Sequence, residues 1–122
     1  MRQWIGALGL ALLLAGDAAA QTSISVDISK ARLQWDWAQG TGGLPDNFLV
    51  KCGQSSGSYS KTTPVAYPTT TIPVAQAITG QGNWFCTVSA INQFGESANA
   101  NEVPFVAGAV PLPPSNARVT AN

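Results

Sequence analysis

The side chains that could do chemistry are few. There is no histidine in the chain, and the only cysteines are Cys52 and Cys86. Beyond the first twenty residues the carboxylates are Asp27, Asp36, Asp46, Glu96 and Glu102. Without histidine, neither a Ser-His-Asp nor a Cys-His nucleophile can be assembled. Two cysteines and scattered carboxylates spell out no zinc or calcium ligand spacing. What is left is a carboxylate pair acting as acid and base. That chemistry needs two groups opposed across a cleft, and nothing in the spacing supports it. A small carboxylate hydrolase using Asp36 and Glu102 is therefore the weaker alternative, and no cofactor is expected. The cysteines have a different chemistry. An even count in an exported chain makes a disulfide the default, with two buried free thiols as the alternative.

Aromatic side chains are the other candidates for function. Trp37 stands before a stretch with three glycines and a proline, Ala38 to Pro45, and Phe94 lies in the turn Asn92 to Gly95. Both are expected as exposed contact residues, although each also fits a boundary position of the core. The loops Gln39–Pro45 and Gln54–Ser58 and the turn Gln93–Gly95 are the expected contact surfaces, because loops held by a rigid scaffold carry binding.

The elements that must hold these residues are strands. Trp84, Cys86, Val88 and Ala90 share one parity, which sends all four to one face of a long central strand. Ala31, Leu33, Trp35 and Trp37 alternate with Arg32, Gln34 and Asp36, the cleanest half-buried pattern in the chain. Phe48, Val50 and Cys52 form the inward set of the next strand. Ile24, Val26 and Ile28 mark a first short strand, and Glu102 to Phe105 a last one. Tyr59 to Ala66 and Thr70 to Ile78 read as extended, with Ile72 and Val74 inward. Pro64 and Pro73 place those two segments at sheet edges. No helical stripe is expected after residue 21. The predicted core is Leu33, Trp35, Phe48, Val50, Ile72, Val74, Trp84, Val88 and Ala90. Short strands separated by turn signals indicate a β-sandwich or barrel.

Residues 1–20 read as an address. Arg2 is followed by the apolar run Trp4 to Ala15 and the small-residue site Ala18-Ala19-Ala20, the three parts of a cleavable signal peptide in order. The run falls well short of the roughly 20 residues a spanning helix needs. The mature chain is thus expected to be secreted or periplasmic, with no membrane span after cleavage. Its five cationic side chains, Lys30, Arg32, Lys51, Lys61 and Arg118, balance its five carboxylates. No basic stripe exists, so nucleic acid is not an expected partner.

Several of these landmarks together resemble the fibronectin type III family. They are Leu33-x-Trp35, Phe48-x-Val50 and Ile72-x-Val74, a glycine corner, then Trp84-x-Cys86-x-Val88-x-Ala90-x-Asn92, Gly95-Glu96-Ser97 and Asn101-Glu102-Val103. The last two motifs are typical of bacterial members. The resemblance covers Ile24 to Val106. It implies an all-β, immunoglobulin-like two-sheet sandwich over residues 21–107, and it sets the strands of Cys52 and Cys86 side by side, so a Cys52–Cys86 bridge is expected. The family usually has tyrosine at the position of Trp84, where the hydroxyl caps a backbone group. An indole offers only an N–H donor, so that corner must be bonded differently or through water.

The family is a scaffold more than an activity. The resemblance implies a non-catalytic binding or structural module meeting a protein or glycan partner at the cell surface or outside the cell. An accessory or decorating role in a larger surface or virion assembly is the other expectation. Residues 108–122 are read as a proline-rich linker and a tail. Pro114 to Thr120 resembles the opening strand of a further module, with Ala117, Val119 and Ala121 on one apolar parity. The tail is either frayed or able to add as a strand, beside Ile24–Ile28 of its own domain or to the next copy, which would make the protein self-associate.

Overall fold

The computed structural model describes residues 22–121. The predicted signal peptide lies outside the described residues. The chain runs β1 (Ile24–Asp27), β2 (Arg32–Gln34), β3 (Asn47–Gly53), β4 (Lys61–Ala66), β5 (Thr71–Pro73), a helical turn α1 (Val74–Ala77), β6 (Gly82–Asn92), β7 (Gly95–Glu96) and β8 (Val103–Gly108). Two sheets form a mostly-β, sandwich-like fold of the general immunoglobulin kind. The larger has the order β1-β8-β6-β3-β4, with β7 also on β6, and the smaller is β2-β5.

The long strand β6 is the hub, pairing antiparallel with β3, β7 and β8. Its inward parity puts Trp84 and Cys86 into a core shared with Val50, Cys52 and Phe105 of the same sheet. Leu33 and Ile72 enter from the facing sheet as a directly opposed pair. Cys52 sits opposite Cys86 across the β3–β6 ladder, and the two form the disulfide. Their Cα atoms are 4.2 Å apart, the narrow spacing of a non-hydrogen-bonded antiparallel pair. Pro64 lies on β4, an edge strand, where a missing N–H is tolerated.

The structure corrects several expectations. The second strand stops at Gln34 instead of reaching Trp37, because its partner β5 has only three residues. The Trp35 N–H still bonds the Thr70 carbonyl at 3.1 Å, after which the glycine-rich loop leaves the sheet. Trp35 and Val88 are half-buried and pack against the core from its margin, and Ala90 is half-buried outside it. Thr70 to Ile78 is not extended throughout. Pro73, at φ −60°, opens α1, and the Ile78 N–H closes the turn on the Val74 carbonyl. Val74, Ala77 and Ile78 are all buried, so a short i, i+3, i+4 apolar stripe does exist here. Glu102 precedes the last strand instead of lying in it.

Between β7 and β8 the chain runs along β6 with two residues to spare. From Ile91↔Glu96 to Cys86↔Val103, β6 advances five positions while its neighbour advances seven. Ser97 and Ala100 donate to the carbonyls of Ala90 and Val88 across this bulge. The bulge covers Thr87 and Ser89, which are buried on the face opposite the core. Thr87 Oγ1 is satisfied by the Ala100 carbonyl at 2.8 Å.

β1 pairs in parallel with β8 and not with β2. In immunoglobulin-type sandwiches the first strand commonly shares the sheet of the second. Here that place, the outer edge of β2, has no strand on it among the described residues.

Candidate functional site

Because β3 and β6 are antiparallel, the loop entering β3 and the turn leaving β6 meet at one end of the sandwich. Asn92 ties them together. Its Nδ2 donates to the Leu44 carbonyl at 3.0 Å, and its Oδ1 accepts the Phe94 N–H at 2.9 Å. The first bond fixes the glycine-rich loop, and the second shapes the turn. Gly43 packs so close that an added Cβ would lie 3.2 Å from the Asn92 amide nitrogen. Gly95 takes φ 141°, a conformation side chains rarely adopt, so the turn needs glycine there.

Between loop and turn lies a groove of about 500 Å³, lined among others by Trp37, Gly42, Asn92, Phe94 and Glu96. Both aromatic residues singled out from the sequence thus line one groove. Phe94 is 87% exposed. Trp37 is half-buried, its ring edge-on to Tyr67 at 5.5 Å and to Phe48 at 6.3 Å. Phe48 in turn meets Trp35 edge-on at 5.5 Å, so the groove rests on a packed aromatic cluster. Trp37 is both a boundary core residue and a lining residue. Trp35 Nε1 is buried without a hydrogen-bond partner.

Glu96 is the carboxylate on the groove wall, and it is already engaged. It pairs with Lys51 and accepts from Ser89 Oγ at 2.6 Å. Lys51 and then Ser89 hold its carboxyl below the usual carboxylate range. Lys51 also reaches Asn99 Oδ1 at 2.9 Å, joining β3 to the bulge. The groove wall therefore carries a neutralised pair instead of a free charge.

The loop Gln54–Ser58 is not part of this site. It leaves the other end of β3 and borders a second groove of about 690 Å³, together with Asn83, Phe85 and Glu102. Glu102 accepts three bonds there: from Ser56 Oγ at 2.6 Å, the Gly57 N–H at 2.8 Å and Tyr59 Oη at 2.5 Å. Ser56 and then Tyr59 lower its pKa, while the Tyr59 phenol is pushed up to about 12 by its bond to Glu102. Glu102 is thus a loop anchor. Asp36, the other carboxylate of the hydrolase alternative, is flanked by Trp35 and Trp37, which pack on Phe48 near the opposite end of β3. The two are anchored to different ends of that strand. Among the described residues no group of three His, Cys, Asp or Glu side chains is placed to hold a metal ion, and no helix is long and apolar enough to cross a membrane.

The corner before β6 is closed by the indole itself. Trp84 Nε1 donates to the Gly80 carbonyl at 2.8 Å. Trp37 and Phe94 are legible in the sequence; the clasp at Asn92 is not, because there Asn92 reads only as the first residue of the turn to Gly95. The signal was its place as the last residue of the β6 parity set, next to the turn. Compared with known proteins, the chain matches no family model and no curated protein.

Proposed function

We propose that the protein is an exported, non-catalytic binding module of the fibronectin type III type, which meets its partner at the groove between the glycine-rich loop and the β6–β7 turn. The observation that carries this reading is Phe94, a large apolar ring left exposed on the groove that Trp37 also lines. Exposed aromatic groups in a concave site are the usual anchors of recognition. The groove's carboxylate is neutralised by Lys51, so the ligand it suits is uncharged: a glycan face or a neutral peptide segment. Export rests on the signal-like residues 1–20 and agrees with the disulfide, which persists in oxidising compartments. The family assignment rests on the Leu33-x-Trp35 and Trp84 to Asn92 landmarks and on the two-sheet fold.

The test is a glycan array run beside a displayed-peptide library, with the parent protein and Phe94→Ala. Phe94 packs into no core, so its removal leaves the fold intact. A ligand class bound by the parent and weakened at least about tenfold by the substitution supports the groove. Ligands that bind both proteins equally place recognition elsewhere.

A further inference from the structure

A sheet of two strands is marginal by itself, and β2–β5 is such a sheet. Its outer edges differ. The Trp35 N–H bonds the Thr70 carbonyl, and the Val74 N–H bonds the Ala31 carbonyl. By the alternation of an antiparallel ladder, Ala31, Leu33 and Trp35 turn their main-chain groups toward β5. Arg32 and Gln34 then turn theirs away. On β5 the outward positions are Thr71 and Pro73, and Pro73 has no N–H to give. The β5 edge is blunted. The β2 edge is not, and among the described residues nothing pairs with it.

The tail matches that edge. Residues 109–121 are exposed along their whole length and make no main-chain hydrogen bond to the body. Val119 is 98% exposed. Ala117, Val119 and Ala121 share one parity, and Asn116, Arg118 and Thr120 the other. β2 has the same division, with Leu33 buried and Arg32 and Gln34 exposed. We propose that the tail of one copy adds as an antiparallel strand to the β2 edge of a second copy. Setting Arg118 opposite Asp36 pairs the tail's one cation with the carboxylate beside that edge. It lays Val119 and Ala121 toward the core flank beside Trp35 and Leu33. It also leaves Pro113 and Pro114, which cannot donate, outside the pairing.

Closure onto the same copy is opposed by geometry. β8 ends at Gly108 beside Asp27, the end at which β2 begins. The tail would reach its own β2 running parallel to it, and Pro111, Pro113 and Pro114 stiffen the spacer that would have to reverse it. The β1 edge is a poorer acceptor. The Asp27 carbonyl is already taken by the N–H groups of Lys30 and Ala31. Donor and acceptor are different surfaces, so addition runs head to tail and lengthens unless the rotation closes a ring.

The experiment is sedimentation velocity over a concentration series on the exported chain, Val119→Asp and Gln34→Pro, each checked for an intact disulfide and a cooperative melt. The parent's weight-average mass is expected to rise at least about twofold, while each variant remains monomeric. An equimolar mixture of the variants is expected to form dimers and nothing larger, because one keeps only the acceptor and the other only the donor. A peptide of residues 114–122 added to labelled Val119→Asp protein is expected to shift the amide resonances of Arg32–Asp36 and not those of Ile24–Asp27. The last measurement holds even if Gln34→Pro does not fold. A parent that stays monomeric throughout, assembly that survives Val119→Asp, or peptide shifts confined to β1 would each overturn the proposal.

Discussion

Single hydrogen bonds hold the corners of this domain, and two of them give measurable expectations. Trp84 fills the core with its indole and spends its one donor on Gly80. Trp84→Phe keeps an aromatic ring but leaves that carbonyl unpaired and a small void, so a loss of about 2 kcal/mol is expected in denaturant melts. The Tyr59–Glu102 bond couples two titrations. Glu102 has a folded-state pKa below its ordinary value, so its contribution is present at neutral pH and is lost as pH falls through that lowered value. Tyr59 is shifted the other way. Its contribution is complete below the ordinary value of 10.0 and disappears as pH rises through about 12. In Glu102→Gln the carboxylate is gone, so phenolate absorbance should show Tyr59 titrating closer to 10.0 than in the parent.

Among the elements, the loop after β3 is the most tightly fitted. A Cβ on Gly53 would lie 1.8 Å from the Ser58 carbonyl oxygen, so the loop lies on the glycine with no room for a methyl group. Gly53→Ala must displace backbone, and a destabilisation of about 2 kcal/mol or more is expected in thermal melts. Asn92→Ala acts differently. It frees the glycine-rich loop from β6 without opening the core, so exchange of the Asp46 amide, which bonds the Ile91 carbonyl where the loop enters β3, should accelerate while the melting temperature moves by only a few degrees. These two elements also show what the sequence made legible. The period-2 runs of β3 and β6 could be read directly, since alternation over seven and eleven residues has no other economical explanation. The turn α1 was hidden because three apolar residues at Val74, Ala77 and Ile78 make one turn, too short to stand out from an extended run. The strand containing Trp35 was overestimated because alternation reports which face a side chain takes, whereas strand length depends on a partner elsewhere in the chain. The groove could be guessed from Trp37 and Phe94. That they line one site depended on the β3–β6 pairing, a contact between distant parts of the sequence.

For the molecule as a whole, the Cys52–Cys86 bond is the main covalent constraint. It joins residues 34 apart in two adjacent strands of the larger sheet. A closed loop of that size is worth roughly 3–4 kcal/mol in the chain-entropy description. Reduction is therefore expected to lower the unfolding midpoint substantially while the reduced chain, held by the same β3–β6 ladder, still unfolds cooperatively. Denaturant curves with and without a thiol reductant measure the difference.

The parallel pairing of β1 with β8 has a mechanical consequence. The chain enters β1 beside Phe105 and leaves β8 beside Asp27, so the two ends of the folded body exit in opposite directions along one ladder. A pull on the two ends loads the bonds of that ladder together, in shear, instead of peeling them off one at a time. Once the ladder gives way, the covalent link between β3 and β6 keeps the segment it encloses from paying out. In a single-molecule extension experiment the domain should resist as one high, brittle peak with a shortened gain in contour length, and reduction should lengthen that gain without removing the peak. The stiffness to such a pull comes from the parallel β1–β8 ladder, and the limited extension from the disulfide.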